Sequence, residues 1–391
     1  MPSRLPFVRI AGFYACYFGA IGVFLPYLAL YFRHHGFSPI GISQLMAILL
    51  AMRILAPGLW AWLADVTGRR TVLMRSAAVA APIMFIGVVA GEDFGSIAVS
   101  LALFGIVWAG VLPQFEANTL DHLGDQPQGY GRLRLWGSLG FIVAVAGGGA
   151  LFAGPRVALV PVIALAVLAM TALATVLTPA APPGPRPPAG DGLVRVLKRP
   201  EVFGLLVGCI LLQASFGTYY VFFTIYLRDL GYSTETAGFM WAWGVAAEIA
   251  VFAYTPRLLQ RWSPHGLLAA ALGATAIRWL VTAWFSASAI MLVIAQTLHL
   301  AAFGVSHAVA VYLVHRYFRG SLQNRGQALY SSLGFGLGGA AGSLMAGYLW
   351  DLKGATAAWI GSAVLALVAA AVVRITAPHD GGAMARRKET V

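Results

Sequence analysis

Apolar runs of about twenty residues or more, separated by short stretches rich in glycine, proline and charge, repeat along the whole chain. A helix that crosses a bilayer needs about 20 apolar residues, because the hydrocarbon core is about 30 Å thick and each residue rises 1.5 Å. The pattern predicts twelve such helices. Six cover 9–32, 39–64, 71–90, 96–120, 131–153 and 157–177; six more cover 202–227, 234–256, 266–286, 289–315, 326–350 and 355–375. Between the sets, Thr178 to Pro200 carries Pro179, Pro182, Pro183, Pro185, Pro187 and Pro188, which cannot continue a helix and leave no apolar stripe to bury. The expected fold is an all-α membrane protein of two six-helix bundles, residues 1–177 and 202–391, joined by a cytoplasmic linker over 178–201. Arg4 and Arg9 precede the first run as in a signal peptide, but 10–32 is long enough to span, so a retained helix is expected.

Composition narrows the function classes. The chain is 59% hydrophobic and 10% charged, against about 25% charged in a soluble domain, so lipid is the expected surroundings and no enzyme activity is expected. Its 391 residues leave no room for a soluble domain beside twelve spans. The formal charge of +12 comes from bases scattered singly between apolar runs, a poor phosphate-tracking groove, and no nucleic-acid partner is expected. Cys16 and Cys209 lie inside apolar runs, which argues against a disulfide framework, a metal centre or a cofactor site. The bases report topology instead. With both termini inside, only Arg33, Arg156, Arg228 and Lys353 fall in outer loops, Arg53 and Arg278 fall within helices, and the other 20 of 26 lie inside, as the positive-inside rule requires.

An internal repeat supports the division. Tyr31-Phe32-Arg33-His34-His35-Gly36-Phe37-Ser38 recurs 195 residues later as Tyr226-Leu227-Arg228-Asp229-Leu230-Gly231-Tyr232-Ser233, and Ser138-Leu139-Gly140-Phe141 recurs 194 residues later as Ser332-Leu333-Gly334-Phe335. Parallel halves of six helices, related by an axis along the membrane normal, are one way transporters are built. The loop after the second span, Ala61-Trp62-Leu63-Ala64-Asp65-Val66-Thr67-Gly68-Arg69-Arg70, resembles the major facilitator signature, with Ala61 at the place of a glycine and Val66 at the place of a base. Gly68 permits a tight turn, Asp65 can accept hydrogen bonds or pair with a base, and Arg69 and Arg70 also hold topology. The resemblance implies that Asp65, Gly68, Arg69 and Arg70 gate the motion of the halves.

A narrower resemblance covers essentially the whole chain. Tyr130-Gly131-Arg132-Leu133-Arg134-Leu135-Trp136-Gly137-Ser138, Trp243-Gly244-Val245-Ala246-Ala247-Glu248, Arg278-Trp279, and Gln296-Thr297-Leu298-His299 with His307 look like the phenylpropionate permease branch. That branch is related to the oligosaccharide:proton symporters typified by lactose permease. The resemblance implies proton-coupled uptake, with aromatic carboxylates such as 3-phenylpropionate as a precedent for cargo.

The residues can also be weighed alone. Glu248 and Arg278 fall deep in the eighth and ninth spans, where a lone charge costs several kcal/mol and marks a polar cavity, an ion pair or a coupling site. Adjacent helices make Glu248 and Arg278 an expected pair, in which protonating Glu248 frees Arg278, or Arg278 receives an anion while Glu248 handles the proton. Arg53 lies 195 residues before Glu248, so the repeat sets opposite charges across the central cavity. Glu116 is a second proton candidate, with Gln114 and Asn118 extending its polar face. In the tenth span Gln296, His299 and His307 follow one another; the histidines stand about 12 Å apart along the axis, too far to share a metal, though each can relay a proton. Tyr27, Gln213 and Tyr220 are candidates to stack with or hydrogen-bond an aromatic cargo. The Gly-rich run from Gly334 to Gly342 lacks a phosphate-loop lysine and fits close helix packing instead.

The combined expectation is a monomeric transporter in the bacterial cytoplasmic membrane, taking up a small organic anion with a co-transported proton. A sugar symporter, an exporter by proton antiport and a non-transporting receptor or scaffold are the alternatives. Topology is tested by single cysteines. Those at Arg33 and Lys353 are expected to react with an impermeant maleimide added to intact cells, and one at Ser321 only after permeabilisation; labelling of Ser321 from outside would contradict the orientation.

Overall fold

A computed structural model describes residues 5–124, 129–181 and 192–378, so the middle of the linker expectation, residues 182–191, lies outside the described residues. The regular elements among them are helices. In chain order they are α1 (Phe7–His34), α2 (Pro39–Thr67), α3 (Arg70–Ala90), α4 (Phe94–Leu123), α5 (Tyr130–Leu151), α6 (Val160–Leu177), α7 (Leu193–Leu197), α8 (Pro200–Ser215), α9 (Gly217–Asp229), α10 (Thr234–Phe252), α11 (Thr255–Arg261), α12 (Pro264–Phe285), α13 (Ala289–Thr297), α14 (Ser306–Tyr317), α15 (Gln323–Leu329), α16 (Gly339–Lys353) and α17 (Ala355–Ile375). Helices begin where capping chemistry allows: the Ser38, Asp93, Ser233 and Ser263 side chains accept from backbone N–H groups of the first turns of α2, α4, α10 and α12, meeting donors that have no partner inside the helix.

Ten helices of the described residues are long and apolar enough to cross a membrane, and α10 with α11 forms an eleventh, bent by 54°. Pro256 explains the bend, since it occupies the first turn of α11 and disfavours helical geometry just before it. The expected span over 326–350 takes a different form. Its path is helical from Gln323 to Lys353, but Tyr330–Gly338 is wound as a π-helix between α15 and α16. A second π-segment, Leu300–Val305, separates α13 from α14. The run 202–227 is broken at Phe216 between α8 and α9.

Buried apolar side chains form two clusters. One is centred on α1, α3, α4 and α6, with Phe13, Phe85, Phe104 and Leu168; the other is centred on α8, α9, α12, α14 and α17, with Leu205, Phe223, Trp279 and Trp359. Lipid is as apolar as leucine, so helices associate in it by close packing between small residues. Gly338 packs directly on the backbone of Ile210, and Gly342 on that of Ala214.

Contact across the linker is concentrated at the end that carries the 35–38 and 230–233 turns. There Arg33 pairs with Asp229 at 2.6 Å, Gly149 backs onto Thr234 and Glu235, Gly347 onto Ser43, and Gly238 onto Val145 and the Tyr27 hydroxyl. Toward the other end the same helices part. In α2 the buried residues run from Ile42 to Leu49, with only Ala56 and Ala64 beyond; in α10 none is buried after Gly244. Close contact between the halves thus runs from the Arg33 end, where it seals the molecule, to mid-span, where Gly336 meets Ile54 and Gly339 meets Leu50.

A β-carbon at Gly238 would lie 2.6 Å from the Tyr27 hydroxyl, so Gly238→Val is expected to wedge the seal open. Spin labels at the exposed His35 and Leu230 should then report a separation several ångströms longer than in the parent; an unchanged distance would show that the seal does not depend on this contact.

Candidate functional site

Arg278 sits in the middle of α12 with no exposed surface. A guanidinium cannot shed its proton and offers only donors, so burying it obliges neighbouring elements to present acceptors and π-faces. They do. Its Nη1 lies 2.9 Å from His299 Nδ1, its Nη2 donates to Gln296 Oε1 at 3.1 Å, and its carbon lies 4.4 Å from the Tyr219 ring centroid and 5.6 Å from that of Phe216. The Tyr219 hydroxyl donates to the same Gln296 oxygen at 3.2 Å, and Trp279 donates to Ser215 at 3.2 Å.

The arginine fixes the histidine. Because Nη1 can only donate, His299 Nδ1 must accept, and the hydrogen of a neutral imidazole is left on Nε2. That nitrogen lies 3.5 Å from Glu248 Oε2. The expected direct pair of Glu248 and Arg278 is thus corrected: His299 stands between them. The reason is topological, since the Leu300–Val305 π-segment packs against both α10 and α12 and sets His299, the residue before it, between the two helices.

The same span carries a ring column. His299 and Phe303 stack at 5.6 Å and 13°, and Phe303 and His307 at 5.4 Å and 12°. Residues four apart share one face of a helix, so the three rings lie one above another. His307 Nδ1 meets the Tyr330 hydroxyl at 2.7 Å. Phe303, His307 and Tyr330 line a small cavity together with Gln213 and Phe335. Gln213 is 5% exposed, and its Oε1 has no hydrogen-bond partner. The Arg53 guanidinium lies 5.6 Å from the centroid of Phe335, one of the lining rings, and makes no ion pair among the described residues. Tyr220 lies parallel to Trp241 at 6.5 Å and 5.3 Å from Phe216.

Other candidates lie elsewhere. Tyr27 is a correction: fully buried, it donates to the Val145 carbonyl and packs on Phe152 at 5.1 Å, which makes it part of the Arg33-end seal, apart from the Arg278 cluster. Glu116 accepts from the Tyr130 hydroxyl at 2.7 Å, while Arg134 lies over Phe18 at 3.7 Å. Asn118 does not extend that polar face. Its amide grips the chain leaving α6, donating to the Pro179 carbonyl at 3.2 Å and accepting from Ala181 N–H at 2.9 Å. In the loop after α2, Gly68 ends the helix at φ 66°. Arg70 there reaches Asp121 of α4 at 3.4 Å, while Asp65 and Arg69 are exposed. No group of three or more metal-ligating side chains occurs among the described residues. Sequence reasoning missed Phe303 and the Tyr130 partner of Glu116; the i, i+4 spacing of His299, Phe303 and His307 was the available signal for the column.

The model of the MFS_1 like family matches residues 7–361. A protein of Escherichia coli (strain K12) named as a probable 3-phenylpropionic acid transporter is 28% identical over 361 residues, 91% of this chain and 93% of that protein. A maltose permease of Geobacillus stearothermophilus is 27% identical over 392 residues, 94% of each. Among solved structures, a mutant of the nucleoside transporter NupG covers 95% of this chain and 100% of its own at a TM-score of 0.84 and 16% identity, a likeness of fold.

Removing one partner of a buried charge costs about 3–5 kcal/mol, while a replacement that keeps an acceptor costs less. His299→Ala is therefore expected to lower the melting temperature in detergent more than His299→Gln. Equal losses would show that Arg278 does not depend on the imidazole.

Proposed function

This chain belongs to the MFS_1 like family and is an integral membrane transporter, and from that premise we propose that it is a proton-coupled symporter for a small organic anion, an aromatic carboxylate. The reading takes the chain as twelve spans in two six-helix bundles, 1–177 and 202–391, both termini cytoplasmic, which move against one another about the 178–201 linker. In that orientation the sealed Arg33 end is external, which fits an inward-facing conformation. Alternating access then requires the seal at Tyr27, Gly149, Gly238 and Gly347 to open while the internal end closes, with Asp65, Gly68, Arg69 and Arg70 at the internal gate.

The observation that carries the proposal is the order Glu248, His299, Arg278. With Glu248 ionised, its carboxylate 3.5 Å away attracts the Nε2 hydrogen of His299, the imidazole accepts from Arg278 through Nδ1, and the guanidinium is held. Protonating Glu248 removes the charge that holds His299 in register, the imidazole is released, and Arg278 loses an acceptor. A proton thereby changes how firmly a buried positive charge is fixed, which is what coupling requires. His307 and Glu116 are secondary proton positions on this reading.

The cargo assignment rests on complementary features. Arg53, which makes no ion pair among the described residues, lies over Phe335 of a ring-lined cavity that Gln213 also lines, and Arg278, buried with Gln296 and His299, adds positive charge in the same half of the chain. An anion with an aromatic body suits that combination, and the relative named for 3-phenylpropionic acid supports it. The maltose permease supports a sugar as the competing cargo.

Proteoliposomes with an imposed inward proton gradient separate these. Accumulation of 3-phenylpropionate above its equilibrium level, and not of maltose, is expected; preferential maltose accumulation would overturn the anion reading, and gradient-driven extrusion the symport reading. Hydrogen bonds to charged groups contribute about 1.5–3 kcal/mol, so Arg53→Gln is expected to weaken carboxylate binding roughly ten- to hundred-fold. Glu248→Gln should abolish accumulation while counterflow exchange persists.

A further inference from the structure

Gln213 is not needed by the proton relay, and the ring column leaves it unsatisfied. Its side chain comes from α8 into the cavity bounded by the two π-segments, where Phe303, Tyr330 and Phe335 supply apolar faces. His307 and Tyr330 satisfy one another at 2.7 Å, so neither is committed to Gln213. The backbone of the second π-segment runs beside it, a β-carbon on Gly334 lying 3.7 Å from Gln213 Cγ, without supplying a donor to Oε1. A buried amide oxygen without a donor costs free energy, and in a cavity it is the group a ligand would complete. Arg53, which makes no ion pair among the described residues, lies 5.6 Å from the centroid of Phe335, one of the rings that line this cavity.

We infer that Gln213 is a specificity-determining residue that selects aromatic acids bearing a polar substituent, a ring hydroxyl, on the part of the ring remote from the carboxylate. The inference rests on the proposed aromatic-anion cargo and refines it. The carboxylate faces Arg53, the ring lies among Phe303, Phe335 and Tyr330, and the hydroxyl meets Gln213. A hydroxyl suits either end of a primary amide, donating to the oxygen or accepting from the nitrogen. A site built to bond a hydroxyl discriminates strongly against the analogue that lacks it, because the protein group then stays unpaired.

The test is direct binding to the purified full-length protein of 3-phenylpropionate, 3-(3-hydroxyphenyl)propionate and 3-(4-hydroxyphenyl)propionate. At least one hydroxylated acid is expected to bind roughly ten-fold or more tightly than the parent acid, and that ratio should fall toward one in Gln213→Met. Gln213→Asn, which keeps the amide but withdraws it by one methylene, should give an intermediate ratio and serves if the methionine variant does not fold. A wild-type ratio near one, or a ratio unchanged in both variants, overturns the role of Gln213 while leaving the aromatic-anion reading intact. If none of the three acids binds while maltose does, both fall together.

Discussion

A guanidinium that cannot be neutralised lies inside the bilayer span, and the second half of the chain is organised around satisfying it. Water is not available to do so, and an unpaired charge there is among the most costly groups a helix can carry. Arg278 is therefore met from several directions: by Gln296 and His299 of the neighbouring span, and by the faces of Tyr219 and Phe216. The Tyr219 hydroxyl and Arg278 converge on one amide oxygen, which fixes Gln296 as well. Trp279 and Ser215 complete the wall behind them.

The arrangement matters because it is directional. An arginine beside a carboxylate would form a self-contained pair with little reason to respond to anything. Interposing an imidazole makes the hold on Arg278 conditional on the tautomer of His299, and that tautomer is favoured by the charge on Glu248. The chain then holds a permanent charge and a titratable charge with a group between them whose two nitrogens must play opposite parts. The two π-segments bring the rings of His299, Phe303, His307, Tyr330 and Phe335 into one chain of contacts that begins beside Arg278. Their extra backbone width is tolerated in the second segment by glycines at 334, 336 and 338.

Much of this was legible in the sequence, for identifiable reasons. A charge in an apolar run is a strong signal, so Arg278, Glu248, Arg53, Gln296 and His299 all stood out from hydropathy alone, and ten spans emerged close to their expected ends. What failed were inferences that depend on winding. Counting 3.6 residues per turn cannot register the Leu300–Val305 π-segment, so the expected Glu248–Arg278 contact missed the intervening His299. Tyr27 was read as a ring-binding tyrosine because a hydroxyl within a span suggests a cavity. Its actual place is set by Val145 and Gly238, residues more than a hundred positions away, whose approach no local pattern reveals. Asn118 failed likewise, because its partners at Pro179 and Ala181 are brought to it by the packing of α6.

The most direct test of the central claim is the protonation of His299 itself. Nitrogen-15 solid-state NMR on histidine-labelled protein in lipid, with the His299 signal identified by its loss in His299→Gln, distinguishes the two neutral tautomers from the imidazolium. At neutral pH without substrate, the account predicts a neutral ring with its hydrogen on Nε2 and a bare Nδ1 accepting from Arg278. A hydrogen on Nδ1, as the other neutral tautomer or as the imidazolium, would contradict it.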